Sequence, residues 1–333
     1  MFATLLGALP RPPLSGRPEA AAATVDRLEA LDPGLRRLAD DEAVSEALMA
    51  QERAGLEPVT DGRLRWRTPL QAMTGAVRDW EVAAAASTRA VKQALAGPYS
   101  LGWSADAMAT GSVAARRRVT LAHAEALNGE ARALREAGCP LVEIDEPAAV
   151  RIGDQGAERR LFIDAHRRLT DGLDDLHLSL ALTGGNADTA GASTFFDLPY
   201  ASYAVDLIAG PDNWRLVTAA PADRGIVCGA LGSGEHDDDG PELLVWAAHY
   251  AASANGRGLA RVGLANAPGL ELAPWEAAQR KFVRLADAAR IAGLESAGEL
   301  ARALDPRAVN SRSAALGRAV PAHPPRKGSG GAW

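Results

Sequence analysis

The chain has 333 residues, 47% of them apolar and 23% charged, with 36 basic and 42 acidic side chains and a net charge of -6. Such a balance can bury a full core, and the acidic excess offers no electrostatic footprint for a nucleic acid. The two cysteines, Cys139 and Cys228, stand in apolar stretches, which speaks for core positions in a reducing compartment and against a disulfide framework.

The first short apolar run covers residues 2–9, and residues 19–31 then carry the Ala, Val and Leu spacing of a helix that Asp32-Pro33-Gly34 ends. Seven more runs follow, at 56–61, 94–99, 141–145, 176–183, 203–208, 225–231 and 261–266. Each ends in Gly, Pro, Asp or Asn and leads into an Ala, Leu and Arg-rich segment with helical spacing. Strand then helix, eight times over, predicts a single-domain (β/α)₈ TIM barrel of the α/β class, since closure leaves no edge strand. Residues 275–292 predict a closing helix with Lys281, Arg284 and Arg290 on its exposed side and Gly293 as its stop. The barrel is expected over 1–304. Residues 305–333, rich in Pro, Gly, Ser and Arg, are expected to be a disordered tail.

The prolines that break residues 1–13 rule against a signal peptide, and no apolar run approaches the roughly 20 residues of a membrane helix. The expectation is a cytoplasmic protein, monomer or homodimer, acting on a small molecule with no membrane or nucleic-acid partner.

Chemistry in such barrels sits at the carboxyl ends of the strands. Alternation puts Leu176, Leu178, Leu180 and Leu182 on the helix side of the fifth run, and His177, Ser179, Ala181 and Thr183 toward the axis. In the fourth run it turns Glu143 and Asp145 inward, about 6 to 7 Å apart along the strand. The loop containing His236 (Glu235-His-Asp-Asp-Asp-Gly) has metal-ligand residue types, though such charge runs are more often solvated.

At these strand ends the sequence resembles cobalamin-independent methionine synthase, in its stand-alone core form. The pieces that carry the resemblance are Leu6-Gly-Ala-Leu-Pro-Arg-Pro, Gln51-Glu-Arg-Ala-Gly-Leu-Glu-Pro-Val-Thr-Asp-Gly, Gly97-Pro-Tyr-Ser-Leu-Gly-Trp-Ser, Glu143-Ile-Asp-Glu-Pro-Ala, Leu182-Thr-Gly-Gly-Asn and Asn266-Ala-Pro-Gly-Leu, in the family's order. The resemblance implies a uroporphyrinogen-decarboxylase-like barrel and methyl transfer from methyltetrahydrofolate, as co-substrate, to the thiol of homocysteine. A zinc ion lowers that thiol's pKa.

The resemblance places the zinc ligands on Ala181, Thr183, Asp206 and Pro268, so three of the four are absent and no metal ligand set is expected. It places the amine-binding aspartate on Asp145, the pterin-side tryptophan on Trp103, and a backbone substrate contact on Gly7 and Ala8. Asp61 opens the motif in which the family has a glutamate, and here Arg63 takes that glutamate's place. A guanidinium there repels an ammonium and receives a carboxylate or phosphate; alternatively Arg63 pairs with Glu57, Asp61 or Glu143 and supports the rim. The family's proton-donating histidine falls two residues from His236.

The function expected on these grounds is a zinc-independent methyltransferase with a changed acceptor, in which Glu143, Asp145 or His236 serves as general base. The competing expectations are an orthodox methionine synthase, a non-catalytic ligand-binding barrel and a decarboxylase with Arg63 as anion clamp.

Overall fold

Strands covered by helices on one face and by a packed interior on the other carry apolar or small side chains on both. The computed structural model describes residues 1–13, 32–66, 75–103, 113–234 and 240–304. Eight parallel strands form one curled sheet in the order β1-β8-β7-β6-β5-β4-β3-β2. They are β1 (Phe2–Ala3), β2 (Val59–Thr60), β3 (Val91–Ala96), β4 (Leu141–Asp145), β5 (His177–Leu182), β6 (Ser202–Asp206), β7 (Gly225–Leu231) and β8 (Val262–Asn266). The helices described are α1 (Pro33–Ala54), α2 (Ala76–Ala85), α3 (Pro98–Gly102), α4 (Val113–Ala137), α5 (Gly156–Thr170), α6 (Ser193–Phe196), α7 (Trp214–Ala219), α8 (Pro241–Ser253), α9 (Trp275–Ala292) and α10 (Ala297–Leu304). This is an α/β architecture with TIM-like curl.

The two ends of the strand order meet through a few polar contacts. Glu57 N donates to Ala3 O at 2.9 Å, Thr4 Oγ1 to Pro58 O at 2.7 Å, and Leu9 N to Gly62 O at 3.0 Å. Pairing sets Asp145 beside Ala181, Ala181 beside Ala204 and Ala204 beside Val227. Ala181, Ala204, Val227 and Ala265 form, with Leu6, a buried apolar cluster, and Phe2 packs against it. These small side chains keep the interior narrow.

Several expected boundaries move, each for a local reason. β3 occupies 91–96 where 94–99 was expected, because Pro98 has no N–H to give a ladder and instead takes the first turn of α3. Glu146 closes that turn, accepting from Tyr99 N at 2.9 Å and Ser100 N at 2.8 Å. β6 stops at Asp206 instead of 208, because Asp206 Oδ1 accepts from Ile208 N and Ala209 N, both at 3.0 Å, and turns the chain. β1 ends well short of Leu9; Gly7 has φ +78°, outside the extended region.

Asp32-Pro33-Gly34 does the opposite of what was expected. It opens α1: the Asp32 side chain accepts from Gly34 N at 2.8 Å and Pro33 takes a first-turn position, where its missing N–H costs nothing. The helix expected over 19–31 lies outside the described residues, as do the tail 305–333 and His236.

α9 forms as expected over 275–292, but Lys281 is not on its exposed side. It is 4% exposed, and its Nζ donates to Gly232 O at 2.7 Å.

The chain divides into two units, Met1–Gly293, which holds all eight strands, and Leu294–Trp333, whose described part includes α10. Among the described residues no helix is long and apolar enough to cross a membrane.

Candidate functional site

The turn after β2 is built around two consecutive left-handed residues. Gly62 has φ +66° and Arg63 has φ +56°, a region that costs a side-chain-bearing residue about 1–2 kcal/mol. Neighbours hold the turn in place: Asp61 Oδ1 accepts from Arg63 N at 3.0 Å, and Thr60 Oγ1 accepts from Gly62 N at 3.3 Å. Glycine is required at 62, since a Cβ would lie 2.7 Å from Leu9 Cδ1. The turn aims Arg63 at the end of β4.

There Arg63 Nη1 donates to Asp145 Oδ2 at 2.7 Å, and Thr183 Oγ1 donates to Asp145 Oδ1 at 3.0 Å. Both ion-pair partners are nearly enclosed, with side chains 11% and 12% exposed. Burial opposes the charge on Arg63, but Asp145, Glu143 and Asp61 outweigh it and hold the guanidinium above its ordinary range. The partner of Arg63 is therefore Asp145, and none of Glu57, Asp61 or Glu143 forms that pair. Glu57 instead pairs with Arg89 at 2.9 Å.

Asp61 is 1% exposed and structural in its contacts, with its second oxygen 3.8 Å from Arg65 Nη1. Arg65 in turn bonds Asp41 Oδ1 through Nε at 3.0 Å and Nη2 at 2.8 Å.

Glu143 does not join Asp145. Its Oε2 accepts from Lys92 Nζ at 2.6 Å, in an ion pair whose side chains are 2% and 4% exposed. Glu143 and Lys92 line a cavity of about 420 Å³ at the amino ends of the strands, with Thr4, His177, Ser179 and Ser202. His177 bonds Ser202 there, 2.9 Å from Nε2 to Oγ. Its tie to Lys92, at the opposite end of β4 from the Asp145 cluster, suits Glu143 to holding neighbouring strands together.

Gly7 packs on Pro268, where a Cβ would meet the proline at 3.4 Å, and Ala8 is half-buried beside it in the chain. Asn266 ties this corner down, accepting from Leu6 N at 3.0 Å and donating to Leu6 O at 2.9 Å. Trp103 follows α3 with the Arg116 guanidinium 4.2 Å and the Arg151 guanidinium 5.1 Å from its ring centroid. A flat ligand stacked on Trp103 would displace the exposed Arg151 or lie against it.

The four positions that the resemblance assigns to zinc do not fit the ion. Ala181 lies in the apolar cluster, Thr183 gives its proton to Asp145, and the Pro268 side chain has no donor atom. Asp206 spends its oxygens on the N–H groups of Gly184, Ile208 and Ala209. Burial pushes the Cys228 thiol up to about 12 and Cys139 up to about 11, so neither offers a thiolate. Among the described residues no three His, Cys, Asp or Glu side chains are grouped as metal ligands.

Sequence reasoning missed two features. One is the Arg63–Asp145 pair, which joins residues 82 positions apart. The other is Glu146, fully buried, which accepts from Tyr99 N, Ser100 N and Ser100 Oγ and lies 3.1 Å from His166 Nε2. The signal for Glu146 was present: a second carboxylate beside Asp145, on the helix side of the strand.

No family model matches the chain, and no curated protein sequence does. Solved structures do. A B12-independent methionine synthase from Shewanella sp. W3-18-1, in complex with selenomethionine, superposes with TM-score 0.70 at 15% identity, covering 87% of this chain and 96% of that one. A candidate vitamin-B12-independent methionine synthase from Listeria monocytogenes gives TM-score 0.66 at 16% identity, covering 87% and 97%. At that identity the likeness is one of fold: the chain shares the curled α/β architecture of these two structures.

Proposed function

We propose that this chain is a divergent relative of the B12-independent methionine synthases, closed as a barrel through the β1–β2 seam, that transfers a methyl group to a small acceptor without zinc. The observation that carries it is Asp145, fixed by Arg63 and Thr183 at the carboxyl end of β4 in a barrel of that fold. The ligand positions support zinc independence, because the Ala181 and Pro268 side chains have no lone pair to give and Asp206 accepts from three backbone N–H groups.

The donor in this reading is a methyltetrahydrofolate. The acceptor's lone pair attacks the methyl carbon, the N5–CH₃ bond breaks, N5 takes a proton, and the acceptor's own proton passes to a base. In this reading Asp145 is the base that takes it. With its Arg63 pair it also sets the acceptor's orientation, and positioned acid–base catalysis contributes about 10² to 10⁴ in rate.

The test is a radiolabelled methyl-transfer assay with the full chain, methyltetrahydrofolate, and a panel of thiol, amine and hydroxyl acceptors. The reading expects label on at least one acceptor and tetrahydrofolate in equal amount. Saturable folate binding with no label on any acceptor would select a non-catalytic barrel. A panel in which neither binding nor transfer occurs would remove the folate reading altogether.

A further inference from the structure

We infer that Arg63 is the recognition element for a carboxylate, and that the acceptor at this site is an acid. The inference rests on the small-acceptor reading above for its biological meaning, while its chemistry stands on the guanidinium alone. Arg63 spends Nη1 on Asp145 Oδ2 at 2.7 Å. Its Nε and Nη2 are buried and have no hydrogen-bond partner among the described residues.

Those two nitrogens are not an arbitrary remainder. Nη1 lies on the Cδ side of the guanidinium, whereas the N–H bonds of Nε and Nη2 run parallel along the opposite edge. That edge is the fork that binds the two coplanar oxygens of a carboxylate at once. Asp145 therefore takes the single-toothed corner and leaves the bidentate edge whole.

Unpartnered buried donors are rare, and each calls for a physical reason. Here the reason is a missing acceptor. The strained φ of +56° at Arg63, the Asp61 hydrogen bond to its backbone N–H and the Asp145 pair all hold the side chain in a pose that leaves the fork unmet. Trp66 lies on one guanidinium face, with Cζ 4.7 Å from the ring centroid, and leaves the Nε and Nη2 edge unbonded.

Local charge narrows the class. Asp145, Asp61 and Glu143 all act on Arg63, so a dianion at the fork meets more repulsion than a monovalent carboxylate does. An ammonium is repelled by the guanidinium itself. Neither nitrogen exposes surface, so binding requires the wall of the site to yield, and the bound carboxylate is desolvated with the fork.

The experiment is calorimetric titration of the full chain, without methyl donor, with sodium acetate, sodium succinate, inorganic phosphate and methylammonium chloride. A carboxylate is expected to saturate, with affinity at least roughly tenfold weaker in Arg63→Lys and Arg63→Met, since a lysine supplies a point charge and no fork. In the unmutated chain, the ¹⁵Nε–H resonance of Arg63 is expected to shift on titration with the same carboxylate, a readout that survives misfolding of either variant.

Saturation by phosphate or methylammonium in place of carboxylate overturns the inference. So does carboxylate binding that leaves the Arg63 Nε resonance unmoved, or no saturation by any of the four. Carboxylate binding with no methyl transfer leaves the inference standing and removes the catalytic reading. Methyl transfer to an acceptor without a carboxylate does the reverse.

Discussion

Asp145 holds two neighbours, Arg63 and Thr183, and its removal leaves a buried guanidinium without its hydrogen-bonded carboxylate. Breaking a buried pair from one side costs about 3–5 kcal/mol, whereas replacing both partners by apolar groups costs far less. Asp145→Ala is therefore expected to lower stability by about 3 kcal/mol, and Arg63→Met with Asp145→Leu to recover most of that loss, both read from urea midpoints. Equal losses in the single and double variants would show that the pair is not coupled. The thiols offer a second check at this scale. With burial pushing Cys228 up to about 12 and Cys139 up to about 11, the folded chain should take up no thiol reagent at pH 8, and two equivalents in denaturant. Sequence reasoning found Asp145 by motif and Arg63 by its departure from the motif. It could not find their contact, because nothing local in the chain records a pairing between the second and fourth strands.

The elements show which signals are local and which are not. β4 and β7 fall where alternation and the flanking turn residues put them, at 141–145 and 225–231. β3 lies earlier than its apolar run suggests because Pro98 is the first residue of α3, held by Glu146 from just beyond β4. Asp32-Pro33-Gly34 carries a stop signal and a start signal at once, and the fold uses the second. Lys281 sits on an amphipathic helix, yet the Gly232 carbonyl draws it inward. The two caps differ in depth and so in cost. Asp32→Ala removes one exposed bond and is expected to cost about 1 kcal/mol. Glu146→Ala removes three donated bonds at a fully buried carboxylate and is expected to cost at least about 3 kcal/mol, by the same urea measurement. A smaller loss for Glu146→Ala than for Asp32→Ala would contradict the account of α3.

For the whole molecule, eight repeats of strand and helix were enough to anticipate the α/β architecture, because the period of the pattern is written in every segment. The separation of the amino and carboxyl ends of the strands into two clusters was not legible. Glu143 and Asp145 share a strand face, but Lys92 ties the first to the lower cavity while Arg63 and Thr183 hold the second at the carboxyl end. Partner identity, set by residues on other strands and turns, decides which end of the sheet each carboxylate serves. The central claim is methyl transfer at Asp145 without a metal, and it is tested most directly by assaying labelled transfer in protein stripped with a chelator, before and after zinc is restored. The account predicts transfer that is unchanged by stripping and falls by about 10² or more in Asp145→Asn. Transfer that disappears on stripping and returns with one equivalent of zinc would contradict it.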